Sequence, residues 1–207
     1  MELSLKDGEF LVKLARRAVT TYLDEGRKIS PPADTPPHLR EKRGVFVTIE
    51  KLVAGARELR GCIGFPEPLF PLVEATIDSA LHAAFEDPRF PPLRSDELAE
   101  VVFEVSVLTV PKPLQVSSPR EYPERIKVGR DGLIVEYGYF KGLLLPQVPL
   151  EYGWDAETFL SHCCMKAGLP PDFWLTHDIK VYTFQAQVFT EKVPNGPVEE
   201  RKEILLH

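Results

Sequence analysis

Cys62 sits directly after Gly61 and two residues before Gly64, in the run Leu-Arg-Gly-Cys-Ile-Gly at residues 59–64. Of all stretches in the chain, this one has residue types and spacing that best fit chemistry. A thiol becomes a nucleophile or metal ligand when a nearby cation favours its thiolate form. Alternating apolar and polar residues over 44–50 and 57–63, with a weakly polar link between, predict a β-hairpin. In an ideal strand Arg60, Cys62 and Gly64 share one face while Leu59 and Ile63 point into a core. That pattern places a guanidinium beside the sulfur, where it lowers the thiol pKa. Gly61 and Gly64 lack a Cβ, so a substrate, a cofactor or another backbone can approach closely there. The competing reading is an inert core cysteine beside glycines that mark a bulge or a tight crossing.

Other residues could complete such a site. Asp87 and Arg89 lie in Asp-Pro-Arg-Phe-Pro-Pro, where three prolines hold them at low entropic cost for binding; the alternative is a capped turn with Arg89 paired to Glu86. Residues 101–110 form a strong strand pattern, with Phe103, Val105 and Val107 on one face and Glu104, Ser106 and Leu108 on the other, a possible cleft wall. Gln147 and Trp154 follow an apolar strand and offer an amide and an indole to a ligand, although Trp154 could equally cover the core. Glu74, Asp78, His82 and Glu86 make a helical stripe better explained by solvation than by metal. His162, Cys163 and Cys164 read as helix packing.

The run at 59–64 resembles the signature of the AMMECR domain family, named after a human chromosomal-deletion region. The resemblance continues in order through residues 87–92, 104–108, 127–133, 142–148 and 166–171. It implies an α+β fold with a largely antiparallel sheet and flanking helices, built as a larger lobe containing both ends of the chain and a smaller inserted lobe. It implies no established reaction. Prokaryotic members are similar to the first component of a three-part set with a Memo-type protein and a radical S-adenosylmethionine protein, so these are the partners it implies. The leading expectation is an enzyme with Cys62 and Arg60 in a cleft between the lobes. There Gly61, Gly64, Asp87, Arg89, Glu104, Ser106, Gln147 and Trp154 would bind an unknown small molecule or protein. The alternative is a non-catalytic adaptor that accepts a peptide or protein in the same groove.

The chain has 207 residues, 43% hydrophobic and 27% charged, enough for one domain with two subdomains. Its formal net charge of −6, without a basic run, disfavours nucleic acid. No apolar stretch reaches membrane-span length and the first residues do not read as a signal peptide, so the expected location is the cytoplasm. Three cysteines without CxxC spacing make neither a disulfide framework nor an iron–sulfur motif. Walker, dinucleotide and Gly-x-Ser-x-Gly motifs are lacking, which leaves the cofactor open. Twenty prolines, together with Asn195 as the only Asn, point to a thermophilic source.

Periodicity predicts helices over residues 5–25, about 71–85, and from an Asp155 cap to about 167. Short strands are expected at 126–128, 132–137 and 141–145, then one long final strand over 179–189. From residue 199 the charged tail is expected to be solvated.

Overall fold

Apolar residues recur with helical spacing from Phe10 to Tyr22, and the chain winds there into α1 (Leu5–Glu25). Ser4 and Asp7 close a capping box at its start, and Gly26, at φ 66°, ends it in the left-handed conformation. The structure is a computed structural model that describes residues 2–201. It divides into two compact units. Among the described residues one unit runs through Thr109 and resumes at Gln187, and the other spans Val110–Ala186.

In the first unit a proline-rich connector leads to β1 (Val45–Val53) and β2 (Ala56–Phe65). These pair antiparallel around a two-residue turn in which Ala54 and Gly55 have φ of 50° and 84°. The strands therefore run further toward the turn than the alternation suggested. Helix α2 (Leu72–Phe85) follows, then β3 (Val101–Leu108), which pairs antiparallel with β1.

The second unit begins with β4 (Lys112–Pro113) and α3 (Tyr122–Arg125). It continues through β5 (Gly132–Tyr137), β6 (Phe140–Leu144), α4 (Val148–Tyr152), α5 (Ala156–Lys166), α6 (Phe173–Thr176) and β7 (Lys180–Phe184). No strand forms at 126–128, where the Ile126 amide instead closes the last turn of α3. Its sheet has the order β4-β7-β5-β6. Phe159, Leu160, Cys163 and Cys164 of α5 pack with Leu133, Val135, Val181 and Trp174 in its core. Gly142 is required there, because a Cβ would stand 2.5 Å from the Ala167 nitrogen at the end of α5.

The expected final strand is two strands. It breaks at Gln185, so β7 completes the second unit's sheet while β8 (Ala186–Glu191) joins the first unit's, in the order β2-β1-β3-β8-β9. The last strand, β9 (Val198–Arg201), pairs antiparallel with β8. Residues 199–201 are thus sheet rather than solvated tail, and 202–207 lie outside the described residues.

The first unit's core is one-sided. Leu11, Leu14, Ala15 and Ala18 of α1 and Leu72, Val73, Ile77 and Ala80 of α2 pack with Val45, Val47, Ile49, Phe103, Val105 and Phe189 from one face of the sheet. At about 25 cal/mol per Å² of apolar surface, this layer dominates the unit's stability. Among the described residues no helix is long and apolar enough to cross a membrane.

Candidate functional site

The sheet face opposite the two helices is polar. Residues that pair across antiparallel strands point to the same side, so the register aligns Cys62 of β2, Thr48 of β1 and Glu104 of β3 in one row across three strands. The next row is Gly64, Phe46 and Ser106, and on the other side lie Leu59, Glu50 and Val102. The Thr48 hydroxyl donates to Cys62 Sγ at 3.3 Å. Thr48, Glu50 and Glu104 are buried, whereas Cys62 and Ser106 are partly buried.

Arg60 does not share this face. The β1–β2 register pairs Ile49 with Gly61 but Glu50 with Leu59, leaving Arg60 as the extra residue of a β-bulge. Alternation restarts across the bulge, so Leu59 falls on the Cys62 face and Arg60 on the helix side. Ile63, paired with Val47, packs on the core as expected. The Arg60 fork grips Glu97, with Nε to Oε1 at 2.9 Å and Nη2 to Oε2 at 3.1 Å, and Nη2 also reaches the Pro92 carbonyl at 3.4 Å. It fastens the 92–97 segment to the sheet and does not activate the thiol.

The cation near Cys62 is Arg89. Asp87 is buried, accepts the Cys62 amide N–H at 2.9 Å, and takes the Arg89 guanidinium at 3.0 Å and 2.8 Å. Arg89, not paired to Glu86, holds the Asp87 carboxyl well below the usual carboxylate range, and burial opposes it. Arg89 Nη2 also donates to the Cys62 carbonyl at 3.4 Å, with its side chain 54% exposed and so open to a ligand.

Burial pushes the Cys62 thiol pKa up. The Thr48 hydrogen bond and Arg89 pull it back, and the Glu104 and Asp87 charges add to the rise. The expectation of a lowered thiol pKa is thereby corrected: Cys62 rests as a neutral thiol. Glu104 is the perturbed acid of the row. It is 4% exposed, and burial with the nearby Glu50 charge lifts its pKa to about 7 against the opposing Arg201 and Arg57. Arg201 Nη1 lies 2.8 Å from Glu104 Oε2, close enough for an ion pair but without hydrogen-bond alignment. Its Nη2 donates to Glu50 Oε2 at 3.2 Å. Arg57 Nη1 donates to the same oxygen at 2.7 Å and to the Thr190 hydroxyl at 2.9 Å. A carboxyl that gains and loses its proton near neutrality beside a thiol is equipped for general acid–base work.

The two glycines are occupied by the protein itself. A Cβ on Gly61 would stand 2.1 Å from the Ala83 carbonyl of α2, and one on Gly64 would meet the Val45 carbonyl at 2.3 Å and the Phe46 ring at 2.5 Å. Gln147 and Trp154 belong to the second unit. There Gln147 stands at the N-cap position of α4 without a side-chain cap bond, and Trp154 stacks between Tyr152 and His162, with ring centroids at 4.9 Å and 3.8 Å. Cys163 and Cys164 are fully buried, and burial pushes their pKa to about 12 and about 11. Among the described residues no group of three or more His, Cys, Asp or Glu could hold a metal ion.

A family model described as AMMECR1 matches residues 12–189. The chain belongs to the AMMECR1 family. A protein of Thermofilum pendens is 61% identical over 205 residues, covering 96% of each chain. Protein PH0010 of Pyrococcus horikoshii is 57% identical over 204 residues, covering 97% of this chain and 98% of that one. A crystal structure titled as that uncharacterized protein matches with a TM-score of 0.79 at 56% identity, over 95% of this chain and 97% of the other. Relatives of this AMMECR1 member thus come from thermophiles, in keeping with its proline-rich, amide-poor sequence.

Thr48, Glu50, Arg57 and Arg201 were not among the residues singled out from the sequence. For Thr48 and Glu50 the signal was present, since Phe46, Thr48 and Glu50 alternate with the apolar core positions of β1. For Arg201 it was not, because both its partners lie on strands distant in sequence, and for Arg57 only Glu50, across the hairpin, is near, while Thr190 and Glu191 are not.

Proposed function

We propose that this AMMECR1 protein is an enzyme in which Cys62 is the nucleophile and Glu104 the proton-exchanging group. The observation that carries the reading is the single cross-strand row Cys62, Thr48, Glu104, with a carboxyl titrating near neutrality at its far end. As sulfur attacks an electrophilic carbon, its proton passes to ionised Glu104 in the same row and Glu104 returns it to the leaving group, while the Thr48 hydroxyl, which donates to Sγ, steadies the sulfur as charge develops on it. The exposed Arg89, whose Nε and Nη2 are held by Asp87, offers its remaining Nη1 to an anionic group of the substrate. The substrate is an unknown small molecule or protein, and the reaction belongs to a pathway shared with a Memo-type and a radical S-adenosylmethionine protein.

The raised thiol pKa favours a second reading, a binding module in which the same polar face receives a peptide and Cys62 does no chemistry. Reconstitution with the two pathway proteins separates them. In an enzyme, Cys62→Ser and Glu104→Gln abolish product formation while partner affinity is kept, because an unactivated hydroxyl is a far poorer nucleophile. In an adaptor, Arg89→Ala weakens the complex and Cys62→Ser changes nothing. Full product formation by Cys62→Ser overturns the catalytic reading.

A further inference from the structure

Beside its apolar face α1 carries a second, polar stripe that the apolar periodicity leaves unexplained. Lys13, Arg16, Arg17, Thr20 and Thr21 follow the i, i+3, i+4, i+7, i+8 spacing of one helix face. They line an open cavity of about 720 Å³, bordered by residues 98–99 and 194–195 of the same unit. That volume falls in the range of small-molecule sites. Although the chain carries a net charge of −6, no carboxylate lines this cavity among the described residues.

Its polar groups differ in how far they are already engaged. Arg16 is buried and spends four of its five N–H donors within the protein: Nε and Nη2 bind Glu191 at 2.6 Å each, Nη1 the Leu98 carbonyl at 3.1 Å, and Nη2 also the Val101 carbonyl at 2.6 Å. Lys13 has only an exposed i, i+4 pair with Glu9. Arg17 is exposed and makes no hydrogen bond or ion pair among the described residues. Neither Thr20 nor Thr21 has a side-chain hydrogen bond among them, whereas Thr76 of α2 satisfies its hydroxyl on the Leu72 carbonyl at 2.7 Å. The rim is completed by Asn195, the only Asn in the chain, at φ 55°. A guanidinium fork, an ammonium, two hydroxyls and an amide therefore line one concavity, and the only acid on these groups among the described residues is Glu9, on Lys13.

We infer that this cavity binds the phosphate group of a small phosphorylated molecule. The three acceptor oxygens of a phosphate match this many donors, and charge-assisted bonds to Arg17 and Lys13 supply the attraction. The site is separate from the Cys62 face and stands or falls independently of it.

The test is calorimetric titration of the full chain with inorganic pyrophosphate, against citrate at matched ionic strength. The expected result is saturable binding of one pyrophosphate per chain that weakens with added salt. Arg17→Gln should weaken it about tenfold or more and Thr20→Val several-fold, with circular dichroism spectra unchanged. Citrate should bind at least about tenfold more weakly. No saturable heat up to roughly 5 mM, equal affinity in Arg17→Gln, or equal affinity for citrate would each overturn the assignment.

Discussion

Glu104 is a buried acid that keeps its proton at pH values where the unfolded chain has lost it. Its pKa rises from 4.5 to about 7 through burial, with the nearby Glu50 charge adding to the rise. The folded state therefore binds more protons between these values, and stability falls as pH rises from 4.5 to 7. Glu104→Gln removes that fall. Denaturant unfolding should show wild type losing about 2 to 3 kcal/mol more than the variant between pH 5 and pH 8, and parallel curves would rule out a raised Glu104. Strand alternation put Glu104, Ser106 and Cys62 on polar positions correctly, because a period of two is readable wherever a strand is regular. It misassigned Arg60, because a single extra residue reverses the parity, and a bulge needs no distinctive residue type.

The β1–β2 hairpin positions the row, and α2 fixes the hairpin from the opposite side. Gly61 is where they meet: a methyl group there lands 2.1 Å from the Ala83 backbone carbonyl, which no side-chain rotation can relieve. Gly61→Ala should therefore cost about 1 to 3 kcal/mol and lower the thermal midpoint, with Gly61→Val at least as severe. An unchanged midpoint would mean that α2 does not press on this strand. Helices α1, α2 and α5 were legible from their periodicity and caps. The short helices α4 and α6 span too few residues to show a period. The split of the final strand at Gln185 leaves no mark either, since β7 and β8 are both good strand sequences and only their different sheets separate them.

Across the whole molecule, the ordered segments at 59–64, 87–92, 104–108, 127–133, 142–148 and 166–171 identified the family because they reach through both units. What they could not convey was charge placement, which depends on pairs such as Arg201 with Glu104 and Arg60 with Glu97. The three thiols now divide cleanly. Cys163 and Cys164 are sealed in the second unit's core, and Cys62 is partly buried on the first unit's polar face, coupled to Glu104. Mass-mapped alkylation of the native chain across pH reads this coupling. Cys62 should label first. The logarithm of its rate should climb with pH, flatten near pH 7 as ionising Glu104 lifts the thiol pKa, and climb again, while Glu104→Gln gives one unbroken slope. Preferential labelling of Cys163 or Cys164, or identical profiles for wild type and Glu104→Gln, would contradict a thiol and a titrating carboxyl acting on one face.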